Sequence, residues 1–388
     1  MSTLRGMNRA FATEAVHAGR QDLAELGVHA APIDLSTTYP AVDSHAEADR
    51  ISRFAAGEQP PGSSLYARLH NPTVARFETA MATLESAQAA VGFASGMAAV
   101  AACLQAAVIA GRPHVVAIRP LYGGSDHLVA TGLLGTEVTW AQPEEVAEAV
   151  RPDTGLVIVE TPANPTLAEV DLERLAAACG SARLLVDNTF ATPVTQRPIE
   201  HGASIVLHSA TKFIGGHGDA MGGVVACDEE FAQLLRKVRI ATGGVLDPFS
   251  AYLLHRGLAT LPVRVREQSR AAAMLAELLD TDDRVTAVHY PGLVEERPTQ
   301  MDSGGALVTF EVDGDATAVV SAVELITPAV SLGGVDTLIQ HPASLTHRIV
   351  EESARSDGGI NDRMLRLSVG LEAVEDLWND LDRALEAR

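Results

Sequence analysis

The sequence predicts an α/β fold built on a mostly parallel β-sheet that is covered by helices. Short apolar runs rich in Val, Ile and Leu alternate with Ala-, Leu- and Glu-rich stretches of helical composition. The segments 115–118, 156–159 and 184–186 are apolar throughout, as in strands that a parallel sheet buries on both faces. With 388 residues the chain is also long for a single core, which favours two domains.

The expected elements follow in chain order. Residues 1–60 contain turn-rich stretches with little periodicity, and we expect an N-terminal arm there. Residues 61–257 form the predicted large domain, whose candidate strands and helices lie at 114–118, 143–150, 155–160, 171–179, 183–188, 204–209 and 222–227. Residues 258–388 form the predicted smaller α+β domain, with a long helix at about 262–279, an apolar segment at 306–314 and a closing amphipathic helix at 373–387.

Composition narrows the possible partners and the compartment. A net charge of −21 and a pI near 4.9 argue against nucleic acid or an anionic membrane as the main partner. Residues 86–111 carry no charge, but they are mostly Ala, so we expect an interior helix and not a membrane span. Three separated cysteines without metal-ligand spacing, and an N-terminus without an apolar core, indicate a cytoplasmic protein and no metal site.

Lys212 is one of only two lysines among 29 Lys and Arg residues. An Arg stays protonated, whereas a buried Lys amine can lose its proton and form a Schiff base. The other lysine, Lys237, has basic neighbours in a helical pattern and is interpreted as solvated. A lone Lys is usually a surface charge. Because Lys212 instead follows an apolar run and precedes a Gly-rich loop, it is a candidate for amine chemistry.

Polar residues end three of the predicted strands: Glu160, Asp187 and Ser209. The carboxyl ends of parallel strands meet at one edge of a sheet, so these side chains are expected close together. An Asp after three buried aliphatic residues is costly unless a cation or several donors satisfy it. A pyridinium nitrogen is such a cation. The pair of Lys212 and Asp187 therefore predicts pyridoxal 5′-phosphate (PLP) as cofactor.

Phosphate donors are present in the same part of the sequence. Residues 94–100, "ASGMAAV", open a predicted helix, so the amides of Gly96 and Met97 are expected to face an anion. Ser209 and Thr211 add hydroxyls beside Lys212. Tyr122, in "RPLYGGSDH", follows a predicted strand and is a candidate to stack on the cofactor or to move protons, although a lone Tyr is more often a packing residue.

Ten motifs in order resemble the Cys/Met-metabolism family of PLP-dependent enzymes, which includes cystathionine γ-lyases and γ-synthases, methionine γ-lyases and homoserine-ester sulfhydrylases. The resemblance covers nearly the whole chain. The motifs are "YARLHNPT" (66–73), "ASGMAA" (94–99), "LYGG" (121–124), "ETPANP" (160–165), "VDNTFATP" (186–193), "HSATKFIGGHGDAMGG" (208–223), "PFSAYLLHRGLATLPVR" (248–264), "VSLGG" (330–334), "HPASLTH" (341–347) and "LRLSVGLE" (365–372).

This resemblance implies a type I aminotransferase-like fold, with a seven-stranded, mostly parallel sheet in the large domain. It implies that Lys212 forms the Schiff base and shuttles protons, and that Asp187 holds the pyridine nitrogen. Tyr122 is expected to stack over the ring and to assist proton transfer at the γ-leaving group. Asn164 is expected near the cofactor's 3-hydroxyl, and the phosphate is assigned to Gly96, Met97, Ser209 and Thr211.

The resemblance also implies that two chains share each active site. Tyr66 and Arg68 would reach the phosphate of the neighbouring subunit, and the assembly would be a homotetramer of two catalytic dimers. Arg366, together with Ser331, would clamp the α-carboxylate of a small amino-acid substrate, since a guanidinium suits a carboxylate.

Two other classes of protein share part of this pattern. "SATK" (209–212) also fits S-x-x-K, the nucleophile motif of penicillin-recognising serine hydrolases, but the S-D-N and K-T-G partners do not occur in the sequence. A binding protein that keeps the fold without catalysis is the other alternative. Retention of Lys212, Asp187, Tyr122 and Arg366 together argues against it.

The expected reaction depends on the distal pocket. Val330 stands where cystathionine enzymes usually carry a Glu that pairs with the distal ammonium, and Val cannot do so. Gly124 stands where methionine γ-lyases usually have Cys, so no subgroup matches fully. We favour γ-elimination from cystathionine, homocysteine or methionine, giving 2-oxobutanoate, ammonia and a thiol. The alternative is γ-replacement on an activated homoserine ester, of the cystathionine γ-synthase or sulfhydrylase type.

Overall fold

The computed structural model describes residues 9–41 and 43–388; residues 1–8 and Val42 of the predicted arm lie outside it. Within that range the strands are β1 (Ala89–Phe93), β2 (His114–Ala117), β3 (Glu137–Trp140), β4 (Thr154–Glu160), β5 (Arg183–Asp187), β6 (Ile205–His208), β7 (Gly223–Cys227), β8 (Val285–His289), β9 (Leu307–Val312), β10 (Thr327–Pro328), β11 (Leu338–Gln340) and β12 (Met364–Ser368).

The α-helices of the described residues connect and cover these strands. They are α1 (Phe11–His17), α2 (Ser44–Ala55), α3 (Pro72–Leu84), α4 (Gly96–Ile109), α5 (Gly123–Thr131), α6 (Val146–Ala149), α7 (Leu172–Ala178), α8 (Thr192–Thr195), α9 (Glu229–Thr242), α10 (Pro248–Leu258), α11 (Leu261–Asp280), α12 (Ala316–Ala322), α13 (Glu352–Asp357) and α14 (Val374–Leu385).

The first sheet has seven strands in the order β1-β7-β6-β5-β4-β2-β3. Strands β2 to β6 pair in parallel, and β7 runs antiparallel to both β1 and β6. Side chains on both faces are buried, for example Val115 and Val116 on opposite faces of β2. The prediction of a mostly parallel sheet is therefore confirmed. The polar ends of β4, β5 and β6 lie at one edge, as expected for parallel strands.

The uncharged segment 86–111 differs from the single interior helix that we expected. It forms strand β1, a break, and helix α4. Ser95 causes the break because its side chain accepts a hydrogen bond from the Ala98 N–H and so caps α4. The short strand β3 was also not predicted. Among the described residues, no helix has both the length and the hydrophobicity needed to span a bilayer.

The second sheet has five strands in the order β10-β11-β12-β9-β8. Helices α11 and α14 pack on it, with Leu275 and Leu381 fully buried in the shared core. The division of the chain at residue 257 stays a prediction; it falls one residue before the end of α10.

The N-terminal arm is more ordered locally than its turn-rich sequence indicated. It contains α1 and the twelve-residue α2, whose first turn is capped by the Asp43 side chain. Several large apolar side chains of the arm are exposed, among them Leu26 and Leu35 at 51% and 67%. The described part of this chain does not bury these side chains in a hydrophobic core.

Candidate active site

A cavity of about 270 Å³ opens at the carboxyl edge of β4, β5 and β6. It lies between the two sheets, because residues from β12 and the preceding loops complete its wall. The structure brings eleven of the thirteen predicted site residues together as its lining: Gly96, Met97, Tyr122, Asn164, Asp187, Ser209, Thr211, Lys212, Val330, Ser331 and Arg366.

Lys212 follows β6 and points across the cavity. Its Nζ donates to Ser331 Oγ at 2.7 Å, although 119 residues separate the two in sequence. Burial, assisted by the positive charge of Arg366, lowers the pKa of Lys212 to about 8. Ser331 has a φ of 94°, a strained conformation for a residue with a side chain. The site thus holds an amine that is partly neutral near physiological pH, as a nucleophile requires.

Asp187 ends β5 on the floor of the cavity. Its Oδ1 accepts hydrogen bonds from the Thr189 N–H at 3.1 Å and the Thr189 hydroxyl at 2.5 Å. Burial raises the pKa of Asp187, and these hydrogen bonds oppose the shift. No Lys or Arg of the described residues forms an ion pair with it. A half-buried carboxylate that faces the cavity in this way suits a cationic ligand atom.

The N-terminus of α4 faces the cavity beside Ser209. A Cβ at Gly96 would lie 2.9 Å from the Ser209 Cβ, so only glycine allows this close approach. The first amides of a helix lack intrahelical partners, and here they lie next to the hydroxyls of Ser209 and Thr211. The Thr211 hydroxyl is fixed by Gly222, whose N–H donates to it at 3.0 Å. Such a cradle of amides and hydroxyls suits a phosphate.

Arg366 lies on β12 and is 2% exposed. Its guanidinium donates to Asn164 Oδ1 at 2.7 Å and to the Ser331 carbonyl at 2.8 Å. With its amide oxygen turned toward the guanidinium, Gln340 accepts from the same group at 2.7 Å. Phe190 faces the guanidinium carbon at 5.6 Å. Burial lowers the pKa of Arg366 to about 10, so the group remains a cation at neutral pH.

Tyr122 lies at the mouth of the cavity, immediately before α5, and is 41% exposed. A Cβ at Gly124 would lie only 2.8 Å from its ring. The absence of a side chain at Gly124 therefore lets the Tyr122 ring pack back over the start of α5.

Two predicted residues do not line the cavity. Tyr66 is 45% exposed, and the Arg68 guanidinium lies 5.6 Å over its ring. Arg68 also donates to the Ile240 carbonyl at 2.6 Å. Their predicted role in a neighbouring subunit stays a prediction.

Site residues that the sequence reasoning did not assign include Thr189, Phe190 and Gln340, which contact Asp187 or Arg366. Thr189 and Phe190 lie two and three residues after the end of β5, within the motif "VDNTFATP", but their residue types alone indicate no role. The sequence marks Glu160 as the polar end of a strand but assigns it no role. In the structure its Oε2 accepts from the Tyr122 N–H at 2.8 Å, and its Oε1 from the Asn164 N–H at 3.0 Å.

The residues present fit PLP. The partly neutral amine of Lys212 suits the aldehyde, the carboxylate of Asp187 suits a protonated ring nitrogen, and the Gly96 cradle suits the phosphate. All three groups line one cavity.

Comparisons with known proteins agree with this geometry. The model of the Cys/Met metabolism PLP-dependent enzyme family matches residues 12–386. The chain is 65% identical over 378 residues to an L-methionine gamma-lyase of Streptomyces avermitilis, covering 97% of this chain and 89% of that protein. It is 56% identical over 385 residues to an L-methionine gamma-lyase of Brevibacterium sandarakinum, covering 97% of each.

Solved structures of cystathionine gamma lyase and cystathionine gamma synthase are also similar to this chain. A cystathionine gamma lyase from Micromonospora echinospora superposes with a TM-score of 0.87 at 38% identity, over 98% of this chain and 100% of that one. A cystathionine gamma synthase from Xanthomonas oryzae pv. oryzae superposes with a TM-score of 0.89 at 35% identity, over 98% and 99%.

Proposed function

Because this chain belongs to the Cys/Met metabolism family of PLP-dependent enzymes, we propose that its substrate is L-methionine. The chain is a PLP-dependent lyase that acts on sulfur amino acids by γ-elimination. With methionine and water the products are 2-oxobutanoate, ammonia and methanethiol. Three relatives that share more than half of its residues are named L-methionine gamma-lyase, which supports methionine over other thioethers.

The uncharged distal wall of the cavity is the observation that carries this proposal. Four charged residues of this chain line the cavity: Glu160, Asp187, Lys212 and Arg366. Arg366 is suited to the substrate α-carboxylate, Lys212 and Asp187 to the cofactor, and Glu160 is occupied by two backbone amides. The lining beyond Ser331 includes Val330 and Met221, which are uncharged. A methylthio group suits this wall, whereas the distal ammonium and carboxylate of cystathionine find no charged partner there.

When bound, PLP supplies an electron sink for the negative charge that develops at the substrate Cα and Cβ. Arg366, held by Asn164 and the Ser331 carbonyl, binds the α-carboxylate and so fixes the orientation of the Cα–H bond. The Lys212 amine then takes the Cα proton and moves protons along the substrate. Tyr122 donates a proton to the leaving sulfur, and Asp187 keeps the ring nitrogen protonated.

Ser331 contributes two groups to the site. Its hydroxyl accepts a hydrogen bond from Lys212 Nζ, and its backbone carbonyl accepts one from Arg366. The strained φ of Ser331 places both groups toward the cavity. Ser331 therefore connects the proton-transfer group to the carboxylate-binding group.

The γ-replacement alternative is not favoured, because relatives that are 65% and 56% identical to this chain are named as lyases. We further propose that the enzyme is a cytoplasmic homotetramer whose active sites are shared between two chains. The exposed apolar residues of the arm, such as Leu26 and Leu35, support self-association. The exposed position of Tyr66 and Arg68 supports a role outside their own subunit's cavity.

A product assay tests the substrate. The PLP-loaded enzyme is incubated with L-methionine, L-cystathionine, O-acetylhomoserine and O-succinylhomoserine, each with and without L-cysteine. We expect methionine to yield 2-oxobutanoate and methanethiol in equal amounts and with the highest kcat/KM. Lys212→Ala is the inactive control. If thioethers form from an ester while 2-oxobutanoate never appears, the lyase proposal is wrong. A higher kcat/KM for cystathionine would contradict methionine as the preferred substrate.

A further inference from the structure

Glu160 is a buried carboxylate in the active site to which the chemistry proposed above gives no part. It ends β4, lies opposite Asp187 in the parallel pairing of β4 with β5, and is 5% exposed. Both carboxylates line a small second cavity of about 10 Å³ behind the floor, together with Ser125. Two like charges side by side in a buried place are costly. If this position only had to fill space at the end of the strand, an uncharged side chain would avoid that cost.

The two oxygens of Glu160 have separate partners on separate loops. Oε2 accepts from the backbone N–H of Tyr122 at 2.8 Å, in the loop after β2. Oε1 accepts from the backbone N–H of Asn164 at 3.0 Å, in the loop after β4. Asn164 in turn accepts from Arg366 through its side-chain oxygen at 2.7 Å. One carboxylate thus joins the loop of the proton donor at the sulfur to the residue that orients the carboxylate-binding arginine.

We propose that Glu160 is a positioning residue that spans the Tyr122 and Asn164 loops and, through Asn164, orients Arg366 toward the substrate carboxylate. This deepens the proposed function, on which it depends for the role of Arg366. Glu160 itself touches neither substrate nor cofactor in this scheme.

The charges around Glu160 agree with a bracing role. Burial raises its pKa well above the ordinary value, the neighbouring Asp187 raises it further, and the two amide hydrogen bonds and Arg366 oppose the shift. The two amides and Arg366, the groups whose positions Glu160 sets, limit this rise of its pKa. Loss of either amide contact would leave a buried N–H without an acceptor.

Two substitutions distinguish the effect of the length of the Glu160 side chain from the effect of its charge. Glu160→Gln keeps the length, but its amide has one acceptor and one donor, so one of the two N–H groups faces a donor. Glu160→Asp keeps the charge but is one methylene shorter and cannot reach both amides. If the span is what matters, both variants are impaired; if the charge alone matters, Glu160→Asp is not.

Glu169→Gln is the matched control. Glu169 lies on the same segment after β4, its side chain is 5% exposed, and burial also raises its pKa. Its nearest cation is Arg297 at 3.7 Å, away from the cavity lining. It therefore reports the effect of neutralising a buried glutamate in this region without disturbing Tyr122 or Asn164.

The readouts are the affinity of the apoenzyme for PLP, by fluorescence, and the affinity of the PLP-loaded enzyme for L-alanine, by the change in cofactor absorbance. L-Alanine has the α-carboxylate but no γ-substituent, so the result does not depend on methionine being the substrate. We expect L-alanine binding to weaken about tenfold or more in Glu160→Gln and Glu160→Asp, as one lost buried hydrogen bond implies. PLP affinity should also fall, but by less than L-alanine affinity, because Tyr122 and Asn164 are expected at the cofactor while Arg366 contacts only the substrate carboxylate; Glu169→Gln should match wild type in both assays.

Unchanged L-alanine binding in Glu160→Gln would overturn the proposal, as would full binding in Glu160→Asp. An equal loss of PLP and L-alanine affinity would assign Glu160 a general structural role instead. If Glu160→Gln does not fold, Glu160→Asp carries the test against the same control. A failed methionine assay alongside weakened L-alanine binding would reject the substrate and leave the positioning role standing.

Discussion

At the scale of single residues, the chemistry depends on an amine that can lose its proton. Arg at position 212 would keep a positive charge beside Ser331 but could form no Schiff base and could accept no proton. We therefore expect Lys212→Arg to lower kcat by at least about 1,000-fold, since general acid–base contributions alone reach that size. Methanethiol release from methionine measures the loss. Lys237→Arg, on α9, is the control and should keep full activity.

The pKa of Lys212 makes a second prediction at this scale. Its value of about 8, lowered by burial and by Arg366, means that the neutral amine appears at a lower pH than in an ordinary lysine. The rate at which the apoenzyme captures PLP should therefore rise between about pH 7 and pH 9, with a midpoint near 8, and level off above it. Stopped-flow absorbance over this range checks it. A rate that keeps rising past pH 10 would indicate an unperturbed amine.

At the scale of elements, the start of α4 can approach the loop after β6 closely because Gly96 has no side chain. A Cβ at Gly96 would meet the Ser209 Cβ at 2.9 Å, so Gly96→Ala must push the helix and the loop apart. We expect PLP affinity to fall by about tenfold, or about 1.4 kcal/mol, because amide and hydroxyl donors then miss the phosphate. Fluorescence titration of the apoenzyme measures it.

Gly244→Ala is the matched control for Gly96→Ala. A Cβ at Gly244 meets its nearest atom, the Ala98 Cβ, only at 3.8 Å, which is an ordinary contact. PLP affinity of this variant should equal that of wild type. Equal losses in the two variants would show that the close approach at Gly96 is not what positions the phosphate groups.

At the scale of the whole molecule, the proposed sharing of active sites makes a prediction about mixed chains. Arg68→Ala removes the guanidinium proposed to reach the neighbouring subunit's phosphate, and Lys212→Ala removes the amine from its own site. After random exchange of the two variants, about half of the dimers are hybrid and one site in each is intact, giving about a quarter of wild-type activity. Each variant alone should remain far below this level.

Differently tagged chains verify that hybrids have formed, and methionine turnover after exchange is the measurement. Verified hybrids without recovered activity would show that each subunit carries a complete site. Mixing two samples of Lys212→Ala that carry the two tags controls for recovery caused by the exchange procedure itself.

The sequence by itself determined the local features of this protein. The fully apolar runs marked β2, β4 and β5 as buried parallel strands, because burial on both faces selects aliphatic residues along the whole strand. The sequence also identified Lys212 and Asp187 as candidate site residues. A lysine is unusual in a chain whose cations are nearly all Arg, and an Asp is unusual at the end of a buried strand. The resemblance of ten motifs then supplied the roles of Ser331 and Arg366, which no local pattern indicates.

Only the tertiary structure decided how distant groups meet. The pairing of β1 with β7, the hydrogen bond from Lys212 to Ser331 and the two amide contacts of Glu160 join segments far apart in sequence. Local composition cannot encode these contacts, because they depend on how the two sheets pack and on where the loops after β2 and β4 turn. The same residue types in a different arrangement would leave Glu160 as an unpaired buried charge. The role of Glu160 therefore follows from where the fold places it and not from its residue type.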